Sequence, residues 1–306
     1  MAVQMKKALY FDIKPYSIND GPGIRITLFL KGCSLNCVWC HNPESISPKV
    51  QKMYSKSRCI GCQSCVEACP QNALTLTSDG IVTDWERCDL CGICAEVCPT
   101  KAMEMSGREA TVEDIMKIFR RERLVIDQSA GGITVSGGEP LLQPDFLIGL
   151  LDACGREGFH RAVDTAGFVK TDILLEVAKR TDLFLYDLKV MDPEKHKRFI
   201  GVTNEKILSN LQILAATGVP INIRIPFIHG VNTDPEELTS MARFVASLAG
   251  EKKAVSLLPY HDIAINKHNK LDQEYDLTGL AEPSSEEIEK AIAIFSAQGL
   301  AASVGG

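Results

Sequence analysis

Residues 132–167 have the sequence GITVSGGEPLLQPDFLIGLLDACGREGFHRAVDTAG, and this stretch decides the fold. It begins and ends with short apolar runs, 132–135 and 160–163, which are typical of strands in a parallel sheet. Between them, residues 145–154 are spaced as an amphipathic helix, and Gly155 follows as a helix stop. A strand, a helix and a second strand in this order predict a β-α-β unit with parallel strands.

The same alternation continues on both sides of this unit. Further strand candidates are residues 25–30, 183–186, 221–225 and 255–258, and further helix candidates are residues 111–124, 172–179, 207–217, 235–248 and 285–298. In the first of these helices, Thr111 is the expected N-cap, with acidic residues in the first turn. About six strands predict an α/β protein with a partial (β/α)6 barrel, whose active site lies at the C-terminal ends of the strands.

The composition is that of a globular protein with an ordinary core. The chain has 306 residues, of which 45% are hydrophobic and 24% are charged, and its net charge is −6. Nothing in this balance indicates binding to nucleic acid or to an anionic membrane. No apolar run approaches the roughly 18 residues of a membrane span, and residues 1–9 lack the apolar core of a secretory signal. We therefore expect a cytoplasmic protein.

The cysteines are unevenly distributed along the chain. Of twelve cysteines, eleven fall between Cys33 and Cys98, and the remaining one is Cys154. In a reducing cytoplasm, clustered cysteines are more often metal ligands than disulfides. Cys154 shares the apolar face of its predicted helix with Phe146 and Leu150, so we expect it to be a buried, inert thiol.

Two cysteine quartets repeat the spacing C-x2-C-x2-C-x3-C-P within residues 59–99. This spacing is typical of proteins with two 4Fe–4S clusters, in which the fourth cysteine of each run ligates the other cluster. The predicted ligand sets are Cys59, Cys62, Cys65 and Cys98 for one cluster, and Cys88, Cys91, Cys94 and Cys69 for the other. Structural zinc is the alternative, although zinc sites usually combine two separated C-x2-C pairs. Fully coordinated clusters of this kind carry electrons or only stabilise the fold.

A third cysteine motif lies upstream of the quartets. Cys33, Cys37 and Cys40 have the spacing C-x3-C-x2-C, with no fourth cysteine nearby. Three thiolates on a four-iron cluster leave one iron without a protein ligand, and an open coordination position on a metal is where chemistry can occur. This motif therefore predicts a reactive cluster rather than an electron carrier.

Several motifs together resemble one known family. The third motif, with Trp39 before its last cysteine, resembles the radical S-adenosylmethionine (SAM) superfamily. The longer run from DGPGIR (20–25) to CHN (40–42) resembles a narrower family, the glycyl-radical-enzyme activating enzymes, in the larger type with an inserted two-cluster module. Further family-like pieces follow in order: SGGEP (136–140), DTAG (164–167), YDLK (186–189), RFIGV (198–202), Arg224 and LLPYH (257–261). Ala166 departs from the family, which often has Asn at this position.

The resemblance implies a domain organisation and a set of site residues. A radical SAM partial barrel would span residues 1–48 and 106–306, and a ferredoxin-like domain with two 4Fe–4S clusters would span residues 49–105. Cys33, Cys37 and Cys40 would hold the active cluster, whose free iron binds SAM. The residues expected to contact SAM are Trp39, Cys40, His41, Gly138 through its backbone, Asp187, Leu188, Lys189, Arg224 and His261. In relatives a monovalent cation lies beside the SAM carboxylate, and its ligands here would be Asp164, Thr165 and Asp187.

The implied activity is that of a radical SAM oxidoreductase, with no side chain acting as acid or base. One electron from the cluster cleaves SAM, and the resulting 5′-deoxyadenosyl radical takes a hydrogen atom from a glycine Cα of a partner enzyme. The products are a glycyl radical in the partner, methionine and 5′-deoxyadenosine. The implied partners are a glycyl radical enzyme and a flavodoxin or ferredoxin as reductant, under anaerobic conditions, and a monomer is favoured. Candidate glycyl radical enzymes are the glycerol or diol dehydratases, choline trimethylamine-lyase, hydroxyproline dehydratase, 4-hydroxyphenylacetate decarboxylase, isethionate lyase and formate-lyase-like enzymes.

Other interpretations remain open from the sequence. The chain could be a radical SAM enzyme with another substrate, or a ferredoxin-type electron carrier without catalysis. Asp187 and Lys189 could simply pair with each other, and Arg224 could form a structural ion pair. Gly137 and Gly138 could be only a turn. The remaining histidines are expected to be surface or satisfied residues, and these are His160, His196, His229 and His268.

Overall fold

The structure, a computed structural model, describes residues 6–272 and 280–305. Its strands are β1 Lys7–Ser17, β2 Arg25–Leu30, β3 Gln51–Tyr54, β4 Leu74–Thr77, β5 Gly80–Thr83, β6 Met103–Ser106, β7 Arg108–Thr111, β8 Gly132–Gly137, β9 His160–Thr165, β10 Leu183–Asp187, β11 Ile221–Phe227, β12 Ala254–Pro259 and β13 Ala302–Val304. Its helices are α1 Ser64–Glu67, α2 Ile93–Glu96, α3 Val112–Arg121, α4 Arg123–Gln128, α5 Pro144–Arg156, α6 Thr171–Ala178, α7 Pro193–Ile200, α8 Glu205–Ala216, α9 Pro235–Ala246, α10 Ile265–Lys270 and α11 Ser285–Ala297. None of the helices in these ranges is long and apolar enough to cross a membrane.

Within the described residues, the main sheet has nine strands in the order β13-β12-β11-β10-β9-β8-β2-β1-β7. The predicted strands are its centre: β2 and β8 to β12 lie side by side, and each neighbouring pair is parallel. The prediction of an α/β fold with a mostly parallel sheet is therefore confirmed. Because the carboxyl ends of parallel strands share one edge, residues that follow them come together.

The prediction of about six strands was too low, because three strands at the sheet's margins escaped it. Strand β1 pairs antiparallel with both β2 and β7, and the three-residue β13 extends the parallel part beyond β12. Strand β1 contains several exposed polar residues, and β13 is short and half exposed, so neither has the apolar run of a central strand.

The first predicted helix divides into two. The Thr111 hydroxyl accepts a hydrogen bond from the Asp114 amide at 3.2 Å, and Asp114 reaches back to the Thr111 amide, which confirms the predicted N-cap. Helix α3 then ends at Arg121, and α4 begins at Arg123, so residues 111–124 are not one continuous helix.

Residues 51–106, which we name the inserted segment, lie outside the main sheet. Strands β3 and β6 pair antiparallel, from Gln51 opposite Ser106 to Tyr54 opposite Met103. The chain between them forms the hairpin β4–β5 and the short helices α1 and α2. This segment has a small hydrophobic cluster of its own around Leu74, Ile81 and Met103.

A buried lysine joins the inserted segment to the main sheet. Lys31, which follows β2, is 1% exposed, and its ammonium donates to the Glu44 carbonyl, to Gln51 Oε1 at 3.0 Å and to Ser106 Oγ at 3.3 Å. Burial lowers the pKa of Lys31 to about 8. Two of its acceptors, Gln51 and Ser106, therefore lie at the two ends of the inserted segment, and the third, Glu44, precedes it.

Candidate functional site

A cavity of about 600 Å³ opens at the C-terminal ends of the parallel strands. Its lining from the sheet consists of strand-end residues: Ser136, Gly137 and Gly138 at β8, Asp164 and Thr165 at β9, Asp187 and Lys189 at β10, Arg224 and Pro226 at β11, and Leu258 and Pro259 at β12. The expectation that polar motifs immediately after strands would converge is therefore met. The volume is that of a pocket for a small organic molecule.

The three cysteines of the upstream motif line this cavity together. The loop after β2 brings Cys33, Cys37 and Cys40 to one wall. Backbone hydrogen bonds hold the loop in place, from the Cys33 amide to the Ile46 carbonyl at 3.0 Å and from the Val38 amide to the Phe199 carbonyl at 2.9 Å. The sulfur atoms thus belong to a fixed loop at the edge of the sheet.

These thiols need a positive group beside them in order to ionise. Burial raises the pKa of Cys33 and of Cys40 to about 12, and it also raises the pKa of Cys37. A metal centre supplies such a charge and deprotonates a coordinating thiol outright. Three convergent thiols with one side open to a cavity are therefore a donor set that fits a four-iron cluster.

The glycines after β8 allow a close backbone approach. A Cβ on Gly138 would lie 2.3 Å from the Gly32 carbonyl oxygen, so a larger residue would displace the cysteine loop. The Gly138 amide already donates to the Leu30 carbonyl at 2.9 Å. Its own carbonyl oxygen is therefore the backbone group with which Gly138 can accept a hydrogen bond from the amino group of a ligand.

Buried carboxylates and cations alternate on the floor of the cavity. Arg224 Nη1 lies 3.5 Å from Asp20 Oδ1 and 3.7 Å from Asp164 Oδ2, and Lys189 Nζ donates to Asp187 at 2.7 Å. Burial raises the pKa of Asp164 to about 6, with Asp187 adding to the rise and Arg224 opposing it. Both pairings that the sequence left open as structural are therefore formed, and they are formed inside the cavity.

The three residues predicted to bind a monovalent cation, Asp164, Thr165 and Asp187, all line the cavity, and the cation site itself stays a prediction. The Thr165 hydroxyl donates to Glu139, and Asp164 and Asp187 already face Arg224 and Lys189.

Two histidines and a tryptophan form the upper part of the cavity. The rings of His41 and His261 stack with centroids 4.7 Å apart, and both line the cavity with Trp39. His41 Nε2 and Arg224 Nε are buried and make no hydrogen bond within the described residues. Buried polar atoms of this kind normally have partners, so they are positioned to bind a polar ligand.

Leu188 is the predicted contact that the structure places elsewhere. Its side chain is 1% exposed and packs in the main hydrophobic core, while its amide donates to the Arg224 carbonyl at 2.9 Å. Successive side chains at a strand end point to opposite faces, so Asp187 and Lys189 reach the cavity and Leu188 does not.

Two residues that were quoted in motifs but given no role are part of the site. Asp20 accepts hydrogen bonds from Thr27 Oγ1 at 2.7 Å and pairs with Arg224. Glu139 is 1% exposed, and it accepts from the Thr165 hydroxyl and the Ala166 amide, which fixes the turn after β8 against the one after β9. For Glu139 the available signal was an acidic residue directly beside glycines after the predicted strand 132–135. Asp20 also lies beside a glycine, but the strand before it, β1, was not predicted.

The two cysteine quartets assemble around two separate small cavities. The first, which we name the Lys52 cavity, is lined by Cys69, Cys88, Cys91 and Cys94 together with Lys52 and Met105. The second, which we name the Tyr54 cavity, is lined by Cys59, Cys62, Cys65 and Cys98 together with Tyr54 and Met103. The grouping is the crossed one in which each quartet lends its fourth cysteine to the other. Cys154, by contrast, is buried in the main core.

The fold and the three-cysteine cavity define a class of cofactor-dependent α/β enzymes, and comparison with known families identifies it. The family described as the radical SAM superfamily matches residues 27–242. A crystal structure of a domain of pyruvate-formate lyase-activating enzyme from Bacteroides vulgatus ATCC 8482 superimposes with a TM-score of 0.51 and 41% identity, covering 57% of this chain and 99% of that one.

Relatives that match nearly the full chain narrow the class. Trans-4-hydroxy-L-proline dehydratase activating enzyme from Clostridioides difficile is 44% identical over 97% of this chain and 99% of its own. Choline trimethylamine-lyase activating enzyme from Oleidesulfovibrio alaskensis is 35% identical over 93% and 94%, and benzylsuccinate synthase activating enzyme from Thauera aromatica is 37% identical over 99% and 94%. The chain belongs to the radical SAM superfamily and, within it, to the family of these activating enzymes.

Proposed function

We propose that this chain activates a partner glycyl radical enzyme, using SAM and a 4Fe–4S cluster held by Cys33, Cys37 and Cys40. The chain is a radical SAM enzyme, and its relatives over nearly the whole length are activating enzymes. The observation that carries the site assignment is the cavity in which three thiols face the strand-end motifs.

When bound, the cluster and SAM together supply one-electron chemistry, in which SAM is cleaved to methionine and 5′-deoxyadenosine and a glycine Cα loses a hydrogen atom. The protein's part is to bind, orient and exclude water. The Gly138 carbonyl accepts from an amino group, and Arg224 and Lys189 provide positive charge for a carboxylate. Trp39 and the stacked His41 and His261 offer flat surfaces for an aromatic ring.

Apolar side chains beside the thiols limit the access of water. Leu35, Trp39, Ile228 and Tyr260 belong to one hydrophobic cluster, against which Cys33 and Cys37 pack. A dry site strengthens every electrostatic contact inside it and protects a reactive radical from side reactions. No acid or base is required, since the hydrogen moves as an atom.

We further propose that residues 49–105 form a ferredoxin-like domain with two 4Fe–4S clusters, and that residues 1–48 and 106–306 form the partial barrel. The support is the crossed grouping of eight cysteines around the Lys52 and Tyr54 cavities. The barrel assignment is supported by the parallel part of the main sheet, which consists of β2 and β8 to β13. A flavodoxin or ferredoxin would supply the electrons.

The partner that we propose is a glycyl radical enzyme of the trans-4-hydroxy-L-proline dehydratase type. The support is the 44% identity to the activating enzyme of that dehydratase, against 35% and 37% to the activating enzymes of choline trimethylamine-lyase and benzylsuccinate synthase. Mixing the chain with each of the three purified partners and measuring the glycyl radical by electron paramagnetic resonance (EPR) tests this choice. An equal or stronger signal with either of the other two would contradict it.

The proposed activity is tested by measuring SAM cleavage under anaerobic conditions in two cysteine variants, one inside the site and one outside it. The chain is reconstituted with iron and sulfide, reduced, and given SAM, and 5′-deoxyadenosine is quantified. Cys40→Ala should abolish cleavage while leaving iron in the inserted segment, because only the active cluster loses a ligand. Cys154→Ala removes a thiol outside the site and should retain cleavage. Cleavage that survives in Cys40→Ala would refute the ligand assignment.

A further inference from the structure

The two cavities of the inserted segment are alike in their cysteines and unlike in their charge. Lys52 and Tyr54 are two residues apart on β3 and therefore lie on the same side of the strand. Each reaches a different cavity, so that one cavity receives a cation and the other a neutral hydroxyl. A pair of otherwise related sites is thus made electrostatically asymmetric by a single strand.

Lys52 is held in position and shielded from solvent. It is 7% exposed, its ammonium donates to the Thr83 hydroxyl, and it lies 4.8 Å from the centroid of the Trp85 ring. Burial lowers the pKa of Lys52, while the thiolates of Cys88 and Cys94 act most strongly in the opposite direction. Both of those cysteines line the Lys52 cavity, so the cation acts mainly there.

The Tyr54 cavity has no comparable charge. Among the described residues that line it, none is Lys, Arg, His, Asp or Glu. The Tyr54 hydroxyl accepts a hydrogen bond from the Ile81 amide at 3.0 Å and is a neutral group. Any electrostatic influence on this cavity therefore comes from dipoles and from more distant charges.

Other charges and hydrogen bonds also influence the reduction potentials at the two cavities, but each acts more weakly than a buried cation. Asp89 lines the Lys52 cavity and opposes Lys52, but it is exposed, so that water and salt screen its charge. Among the described residues, more donors reach sulfur at the Tyr54 cavity than at the Lys52 cavity. Cys98 accepts from the Ala102 amide at 3.2 Å and the Met103 amide at 3.5 Å, and Cys62 accepts from the Ser64 hydroxyl at 3.5 Å, whereas at the Lys52 cavity Cys69 accepts from the Ala73 amide at 3.3 Å. These hydrogen bonds favour reduction at the Tyr54 cavity and so oppose the effect of Lys52, but each comes from a neutral dipole and acts more weakly than a full buried charge.

We propose that Lys52 makes the two clusters of the inserted segment unequal, by raising the reduction potential of the cluster in the Lys52 cavity above that of the cluster in the Tyr54 cavity. Taking up one electron from the reductant adds one negative charge to a cluster, and a buried cation beside it stabilises the reduced form. This inference rests on the proposed function, because it requires both clusters.

The asymmetry gives electron transfer a direction within the segment. Lys52 follows Gln51, whose side chain accepts a hydrogen bond from Lys31 of the main sheet. The Lys52 cavity therefore lies at the base of the β3–β6 pair, and the Tyr54 cavity lies further along it. An electron that enters at the Tyr54 cavity moves to the higher potential at the base, beside the main sheet.

The experiment is a redox titration of the full-length reconstituted chain, followed by EPR. Cys40→Ala serves as the background, since it leaves only the two clusters of the inserted segment, about eight iron atoms per chain. Lys52→Met is compared with Lys52→Arg, which keeps the charge, and with Lys56→Met as the matched control, since Lys56 is an exposed lysine of the same segment that lines neither cavity. Repeating Lys52→Met together with Cys62→Ala removes the cluster of the Tyr54 cavity and assigns the signal that shifts.

In Lys52→Met, one cluster should become about tenfold harder to reduce, which is ~59 mV for a one-electron couple. The potential of the other cluster should stay near the parent value in Lys52→Met, and both potentials should stay near it in Lys52→Arg and Lys56→Met. The shift in Lys52→Met should persist when Cys62→Ala is added. If Lys52→Met loses iron, Lys52→Gln is titrated instead, and the same shift in reduction potential is expected.

Two results would overturn the inference and are distinguishable. In a fully iron-loaded Lys52 variant, the two reduction potentials could be unchanged or lowered equally at both clusters. Either result would overturn the role of Lys52 and leave the proposed function intact. A parent chain that takes up iron for the active cluster alone overturns the two-cluster domain and this inference together.

Discussion

Buried charged residues give the site its shape at the scale of single residues. Arg224 lies between Asp20 and Asp164, and Lys189 faces Asp187, so each of these three aspartates has a cation beside it. The sequence left the Asp187–Lys189 pair open and allowed an ion pair for Arg224, but it did not indicate Asp20 and Asp164 as the partners of Arg224. Asp20 and Arg224 are far apart in sequence, and their contact depends on the path of the chain after β1.

Glu139 should give the stability of the protein a measurable pH dependence. Burial raises the pKa of Glu139 from 4.5 to about 7, although donors from Thr165 and the backbone oppose the rise. Between these two pH values the folded chain keeps a proton that the unfolded chain has lost, so this contribution to stability is present at low pH and lost as the pH rises to about 7. The size is about 3 kcal/mol, at roughly 1.4 kcal/mol for each pKa unit.

Chemical denaturation of the parent chain and of Glu139→Gln at several pH values checks this expectation. The difference between their free energies of unfolding should change by a few kcal/mol between pH 5 and pH 7.5 and then level off. Glu157→Gln is the control, since Glu157 is paired with Arg120 near the surface. A constant difference for Glu139→Gln across the range would show that the carboxyl titrates normally.

The central strands illustrate what the sequence can and cannot predict at the scale of elements. Buried strands such as β8 and β10 are visible as apolar runs, but they continue for a residue or two into the polar motifs, where hydropathy no longer marks them. Helix α7, Pro193–Ile200, was missed because five of its residues are charged or histidine and little of it is apolar. The marginal strands depend on pairing with their neighbours, which no local pattern reports.

The end of β8 should tolerate no side chain at Gly137. Gly137 has φ of +129°, and a Cβ there would lie 2.1 Å from the Leu30 carbonyl oxygen in β2. Gly137→Ala should therefore separate β8 from β2, disturb the cysteine loop and abolish SAM cleavage, with a loss of stability of about 1–3 kcal/mol. SAM cleavage and thermal unfolding measure the two effects.

Gly149→Ala is the matched control for this glycine. Gly149 lies within α5, and a Cβ there would meet only Val112 Cγ2 at 3.5 Å, which is an ordinary contact. The helix should gain about 0.5–1 kcal/mol, because alanine is the better helix former. Equal effects of the two substitutions would contradict the role assigned to the strand end.

At the scale of the whole molecule, the proposed function assigns electron transfer to the inserted segment and SAM cleavage to the main sheet. Cys62→Ala or Cys91→Ala should then slow SAM cleavage on the order of tenfold when a flavodoxin is the reductant, because each would remove one of the two proposed clusters. SAM binding should be spared, since neither residue lines the main cavity. Calorimetric titration with SAM and the rate of 5′-deoxyadenosine formation measure the two properties. Loss of SAM binding would instead indicate that the segment supports the barrel structurally.

The junction at Lys31 has a consequence for building a shorter protein. The residues that flank the inserted segment, Val50 and Gly107, lie in contact, so a cut-out of residues 51–106 could be closed by a tight turn. Such a truncation would take away Gln51 and Ser106, and the Lys31 ammonium would keep only the Glu44 carbonyl among these three acceptors. A buried cation without its acceptors is strongly destabilising. Shortening the chain in this way therefore requires that Lys31 be replaced by an apolar residue. This compensating substitution lies outside the deleted residues.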